Sequence, residues 1–194
     1  MLVVMPHAAL AVVVAAGPRG FAGAAELAVG GETLPARAVA VAARHSASVV
    51  VASAHESAWA GFVAAVVGHE PPLAADSIVV LHEVERALAD DGVWERVLAA
   101  AVDGAAASIP SRAVTDTVRD RHGALVDREA LVECQTPRAY RVGLLRDLVD
   151  VAATDDLEAL AAVGVTPTFV EGSASASAVR TADQLAVVLA RTGS

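Results

Sequence analysis

Every one of the 14 basic residues in this 194-residue chain is arginine; lysine is absent. Whatever meets a phosphate here must therefore be a guanidinium, a backbone N–H, a hydroxyl or a metal ion. A net charge of −9 argues against nucleic acid as a partner, because tracking a phosphate backbone needs a basic face. Other reactive residue types do not assemble by spacing. His7, His45, His55, His69 and His122 stand apart without metal-ligand spacing and read as solvated or capping residues. The single cysteine, Cys134, has no histidine near it in sequence to activate it and no partner for an internal disulfide. A reducing, cytoplasmic setting is the expectation.

The elements that must carry any site alternate between β-branched runs and Ala/Leu-rich stretches, the pattern of a mostly parallel sheet with crossover helices. Strands are expected near Ala11–Ala16, Ser48–Ala52, Ser77–Leu81, Ala105–Ile109 and Val165–Val170. Helices are expected near Pro35–His45, Glu56–Val67, Asp91–Val102, Val142–Ala153, Leu157–Val163 and Ala182–Arg191. The last is announced by Thr181 as N-cap, Gln184 at the capping-box position and a stripe of Leu185, Val188 and Leu189. Trp59 and Trp94 fall at apolar helical positions and read as core. With few aromatics (3%) and many Ala and Val, the core must be built from small and branched side chains in one α/β domain spanning 1–194. The apolar run Ala8 to Ala16 is too short to span a bilayer and no Lys or Arg precedes it, so it reads as a first buried strand rather than a leader, and no membrane partner is expected.

Between about Ala113 and Glu133 the pattern changes. The stretch is charged and mostly alternating, with His122-Gly123 as a turn, and reads as an exposed β-arm rather than another βαβ unit. An arm that cannot bury its own faces packs on a partner subunit, so a homodimer is expected.

Across the C-terminal half the motifs occur in a defined order: Val114-Thr115-Asp116-Thr117, Asp127-Arg128, Gln135-Thr136-Pro137-Arg138-Ala139-Tyr140, Thr154-Asp155-Asp156, Gly164, Val170-Glu171-Gly172 and Thr181-Ala182-Asp183-Gln184-Leu185. In order and spacing this resembles the 2-C-methyl-D-erythritol 4-phosphate cytidylyltransferase family. In the N-terminal half Val14-Ala15-Ala16-Gly17, Gly30-Gly31, His82 and Arg86 fit the same pattern. The resemblance implies a Rossmann-like nucleotidyltransferase fold dimerised through the arm. It also implies that a sugar-alcohol phosphate attacks the α-phosphorus of CTP, with Mg²⁺ on the phosphates and pyrophosphate leaving, in isoprenoid precursor synthesis. On this basis Ala15, Ala16, Gly17, Gly20, His82, Glu83 and Arg86 would serve the nucleotide, and Thr117, Arg128 and Thr154 the acceptor phosphate.

Such a reaction depends on in-line positioning and cationic stabilisation, and here the cations depart from the family pattern. The family loop Ala-Ala-Gly-x-Gly-x-Arg becomes Ala15-Ala16-Gly17-Pro18-Arg19-Gly20-Phe21, so the loop arginine is Phe21 and Pro18 removes a donor. The segment reads equally as a plain strand-to-helix turn. The family's Gly-Gly-x-x-Arg-x-x-Ser-Val segment has no counterpart around Gly68–Pro72, Glu85 stands where a small residue is usual, and the Asn-x-Lys before the last helix is Ala176-Ser177-Ala178. Arg19 and Arg180 are the candidate catalytic replacements. Arg138, where the family has Gln, would add a cation beside the acceptor pocket, whereas Asp127-Arg128 could equally be a solvated ion pair. Three functions follow: a weak or retuned cytidylyltransferase, a non-catalytic homologue keeping fold and dimer for binding or regulation, and a transferase acting on another polyol phosphate. A preserved acceptor side beside an eroded nucleotide loop disfavours the third.

Overall fold

The computed structural model describes residues 8–16, 26–54 and 57–193. Its framework is a sheet whose strands follow the order β11-β6-β10-β5-β1-β4. In chain order the strands are β1 (Leu10–Ala16), β2 (Ala28–Val29), β3 (Glu32–Thr33), β4 (Val49–Ala54), β5 (Ile78–Glu83), β6 (Ala107–Ala113), β7 (Val118–Arg119), β8 (Leu125–Val126), β9 (Val132–Cys134), β10 (Arg138–Arg141) and β11 (Thr168–Glu171). The helices are α1 (Leu34–His45), α2 (Ala58–Val67), α3 (Asp91–Val102), α4 (Val142–Leu148), α5 (Asp156–Ala162) and α6 (Ala182–Thr192).

Alternation along β1 explains the three layers. Ala11, Val13 and Ala15 point to one face, which α1, α3 and α6 cover through Leu34, Ala38, Trp94, Val97 and Val188. Leu10, Val12 and Val14 point to the other, covered by α2, α4 and α5 through Phe62, Val63, Leu145 and Leu160. A strand buried on both faces reads as a continuous apolar run, as this one does. On the second face the rings of Trp59, Phe62 and Tyr140 meet with centroids 5.4–5.7 Å apart.

Sequence patterning located β1, β4, β5, β6, β11 and all six helices. The helix expected to reach Ala153 ends at Leu148. A strand that patterning did not announce is β10, which runs antiparallel between β5 and β6. Its four residues, Arg-Ala-Tyr-Arg, carry too little apolar sequence to signal a strand, yet Ala139 and Tyr140 are fully buried on opposite faces. The last helix has the anticipated N-cap, Thr181 Oγ1 accepting from Gln184 N–H at 3.2 Å, but the Gln184 side chain reaches one residue further back than a capping box does, accepting from Arg180 N–H at 2.8 Å.

The stretch after β6 leaves the sheet as an exposed ribbon of β7 and β8. Asp120 Oδ1 accepts from the backbone N–H groups of His122 and Ala124 across its turn, and Gly123 takes the left-handed backbone the turn requires (φ +85°). The chain then returns through a short 3₁₀ turn (Arg128–Ala130) to β9, which pairs antiparallel with the end of β6. No helix among the described residues is long and apolar enough to cross a membrane.

Candidate functional site

Three of the sequence candidates for the nucleotide, His82, Glu83 and Arg86, lie where β5 ends. Strand β5 delivers His82 and Glu83 to a 3₁₀ turn, Val84–Arg86. His82 is fully buried, with its ring edge-on to Trp94 at 5.0 Å. Burial, reinforced by the Arg86 charge, pushes its pKa down to about 3, so the imidazole is neutral across the physiological range. Its Nε2 has no hydrogen-bond partner. The His82 side chain is thus closed off from solvent.

Arg86 is equally committed. Its side chain is 11% exposed and donates to the Glu133 carboxylate at 3.0 Å, the Ala176 carbonyl at 2.6 Å and the Cys134 carbonyl at 3.2 Å, with Glu83 at 3.5 Å. Arg180 donates from Nε to Glu85 Oε2 at 2.8 Å, with Nη2 also 2.8 Å from that oxygen. This hydrogen bond, partly offset by desolvation, holds the guanidinium pKa above its ordinary value. Glu85, an unfavourable neighbour for a triphosphate when read in sequence, thus has its own cation. The backbone adds a further tie, Val179 N–H to Glu85 C=O at 2.7 Å. Ala15 lies at the end of β1 with its side chain in the core, and Ala16 closes the strand. Gly17, Arg19, Gly20 and Phe21 lie outside the described residues.

The stretch 172–178 crosses this hub and is held by residues to which sequence reasoning gave no role. Gly172 is required by close approach: a Cβ there would sit 2.3 Å from Gln135 Oε1 and 2.9 Å from the Arg112 side chain. Gln135 is buried and clamps Ser173 twice, accepting from its N–H and donating to its carbonyl, each at 3.0 Å. The hydroxyls of Ser173 and Ser175 donate to Asp90 Oδ2 at 2.7 and 2.6 Å. Burial would raise the Asp90 carboxyl, but these bonds and Val93 N–H outweigh it and hold the pKa below the usual range. The motif order drew notice to Gln135 and Gly172. No sequence signal ties Asp90 to two serines more than eighty positions away.

The acceptor candidates are distributed differently. Thr117 and Arg128 line one open cleft of about 350 Å³ on the arm, where Arg128 also donates to the Thr115 carbonyl at 2.6 Å. Thr154 is elsewhere: its hydroxyl donates to Glu158 at 2.9 Å, in a turn where Asp155 caps α5. Arg138 departs from expectation. It does not stand as a free cation but points at buried Asp156, which also accepts from Tyr140 Oη. Burial opposes the Arg138 charge, but the adjoining Asp156 carboxylate more than compensates and raises its pKa. Burial, with the same carboxylate next to it, pushes the Tyr140 phenol well above its ordinary value.

A divalent ion in such chemistry rides on the nucleotide phosphates, helped by one or two protein carboxylates. The hub carboxylates Glu83 and Glu133 already face Arg86, and Glu85 faces Arg180. No group of three or more His, Cys, Asp or Glu side chains among the described residues could hold a metal.

Comparison with known proteins gives this geometry its family. The model of the 2-C-methyl-D-erythritol 4-phosphate cytidylyltransferase family matches residues 64–191. A bifunctional IspD/IspF enzyme of Sphingopyxis alaskensis is 37% identical over 121 residues, 58% of this chain and 31% of that protein. The 2-C-methyl-D-erythritol 4-phosphate cytidylyltransferase of Bordetella pertussis is 34% identical over 109 residues, 52% of this chain and 48% of that one. The chain thus matches between about a third and about half the length of these relatives. The solved cytidylyltransferase of Thermus thermophilus superposes with a TM-score of 0.75 at 27% identity, covering 97% of this chain and all of that one. Fold, motif order and sequence agree, and the chain belongs to the 2-C-methyl-D-erythritol 4-phosphate cytidylyltransferase family.

Proposed function

We propose that this protein is a cytidylyltransferase-family member whose transfer of a cytidylyl group from CTP to methylerythritol phosphate is very slow or lost. On this reading fold and acceptor arm are retained for binding or regulation. The observation that carries this is the commitment of Arg86 and Arg180, the described cations of the nucleotide side, to Glu83, Glu133 and Glu85. A triphosphate entering there would have to displace carboxylates from guanidinium groups, and Ala178 offers no replacement charge. Loss of one well-placed stabilising group typically lowers turnover by about two to three orders of magnitude, and several are missing together. Mg²⁺ belongs to this proposal only as the counterion CTP brings. The arm would pair two copies in a cytoplasmic homodimer, because β7 and β8 bury little of their own surface and Leu125 is left exposed at the ribbon.

The test is calorimetric titration of Mg²⁺-CTP together with pyrophosphate release in the presence of CTP and methylerythritol phosphate. Millimolar CTP binding and turnover several orders of magnitude below a normal member are expected. Introducing Ala178→Lys with Phe21→Arg should raise pyrophosphate release if the deficit is electrostatic. Micromolar CTP binding with brisk turnover by the unmodified protein would overturn the proposal. Sedimentation at tens of micromolar tests the dimer separately, a monomer being the contrary result.

A further inference from the structure

Adjoining the hub through Asp90, Ser173 and Ser175, helices α1 and α6 and the loops before α3 and after β11 line a cleft of about 490 Å³. That volume falls in the ordinary range for small-molecule sites. On α1, Arg37, Val41 and Arg44 recur at i, i+4 and i+7 and so share one face, the two guanidinium-bearing residues about 10 Å apart along the axis. Arg191 enters from the last turn of α6 on the opposite wall. Val41, Leu88 and Leu189 contribute apolar surface to a lining that also includes Ser173, Ser175 and Thr192. Three of the chain's 14 arginines thus line one cleft of a protein whose net charge is −9.

The two carboxylates that also line the cleft are already satisfied. Asp91 accepts from Arg44 at 2.8 Å and lies 2.7 Å from His45 Nε2. Asp90 accepts from both serine hydroxyls and from Val93 N–H. Arg44 is therefore paired at close range, whereas Arg37 is held only loosely and Arg191 is in no ion pair among the described residues. The Arg37 contact with Glu32 is 3.9 Å long, and its Nε is buried without an acceptor. Arg191 makes no ion pair among the described residues. A guanidinium held only by a long ion pair and another without one, lining the same cleft as Val41, Leu88 and Leu189, offer donors to an oxyanion carried on an apolar body.

We propose that this cleft binds a small organic oxyanion, a phosphate monoester or carboxylate bearing an apolar group, through Arg37 and Arg191. The proposal goes beyond the family activity and is independent of whether CTP binds. Phenyl phosphate, benzoate and inorganic phosphate serve as probes, titrated into the full chain at low salt and followed by amide chemical shifts and calorimetry. Phenyl phosphate or benzoate should saturate in the millimolar range or tighter, ahead of inorganic phosphate, and shift the amides of Ala174 and Leu189. Whichever of the two binds more tightly assigns the anion. Arg37→Gln and Arg191→Gln should each weaken that binding about tenfold, the loss of one charge-assisted hydrogen bond. Arg191→Lys should recover part of it. Glu85→Ala should leave it unchanged, which separates the cleft from the nucleotide side. Absence of saturation by all three probes at 20-fold molar excess over about 1 mM protein, a scale at which weak sites still fill, overturns the proposal. So does equal binding by the Arg37→Gln/Arg191→Gln double variant with its fold intact by circular dichroism.

Discussion

The hub at the end of β5 and the arm of β7 and β8 both carry arginine, threonine and carboxylates, yet the same residue types behave oppositely in the two places. At the hub, Arg86 is closed in by two carboxylates and two carbonyls. On the arm, Arg128 makes one bond to a backbone carbonyl and otherwise lines an open cleft beside Thr117. A cation counts toward binding only to the extent that its donors are free, because displacing a buried partner leaves an unpaired charge behind. Counting arginines in sequence does not rank the hub above the arm, which holds Arg119, Arg121 and Arg128, and free donors also rank the arm first.

The sharpest way to expose the packed character of the hub is acid. His82 is held neutral with a pKa of about 3, while in the unfolded chain it protonates near 6.5. A depressed histidine leaves stability intact above pH 6.5 and erodes it as pH falls from 6.5 toward 3, because the unfolded state then binds the extra proton. At pH 4.5 the loss should be about 3 kcal/mol from this group. Urea unfolding at pH 7.5 and 4.5 should show it, and His82→Leu should flatten the slope. An unchanged slope in that variant would mean that carboxylates alone set the acid sensitivity. Asp90 and Asp91, whose pKa values are lowered, contribute stability that persists above about pH 4 and disappears only below it.

Substituting Gly172→Ala should come next in size, at about 1–3 kcal/mol, since the new methyl meets Gln135 and Arg112 at sub-contact distances. The counterpart on the arm, Gly123→Ala, meets no atom within 4 Å and has only its left-handed backbone against it, a strain of about 1–2 kcal/mol. Equal loss of amide protection at Gln135 in both variants would erase the distinction between a packed and an open region. For binding, Glu85→Ala frees Arg180 and should tighten Mg²⁺-CTP about tenfold, or 1.4 kcal/mol, measured by calorimetry. No change would place the obstacle in the Gly17–Phe21 loop instead. The smallest effect belongs to Arg128→Ala, which should leave the unfolding midpoint within about 0.5 kcal/mol, as exposed substitutions do. A larger shift would show that the arm is structurally tied down after all.

Much of the framework could be read before any coordinates because its signals are local. The valine run of β1, the Thr181 N-cap and the alternating charges of the arm each announce themselves within a few residues. What escaped reading is non-local. Strand β10 owes its place to neighbours on both sides rather than to its own Arg-Ala-Tyr-Arg composition. Of the site candidates, Thr117 and Arg128 line one cleft, while Thr154 is turned to Glu158. The pairing of Glu85 with Arg180 spans 95 positions, and sequence showed each residue as an isolated anomaly. Their mutual cancellation is visible only once the fold joins them.

The late arrival of β10 has a consequence for synthesis of the chain. Strands β5 and β6 are not hydrogen-bonded to each other; β10, encoded after both, fills the gap. As the polypeptide leaves the ribosome, the β1–β4–β5 part and the β6 part therefore wait with open edges until Tyr140 emerges, and non-local pairings of this kind close slowly. Nascent chains arrested with the arm exposed but Tyr140 still in the exit tunnel should be cut readily by protease. Protection should appear only once Arg141 has cleared, and early protection would show that the half-sheets close without their central strand.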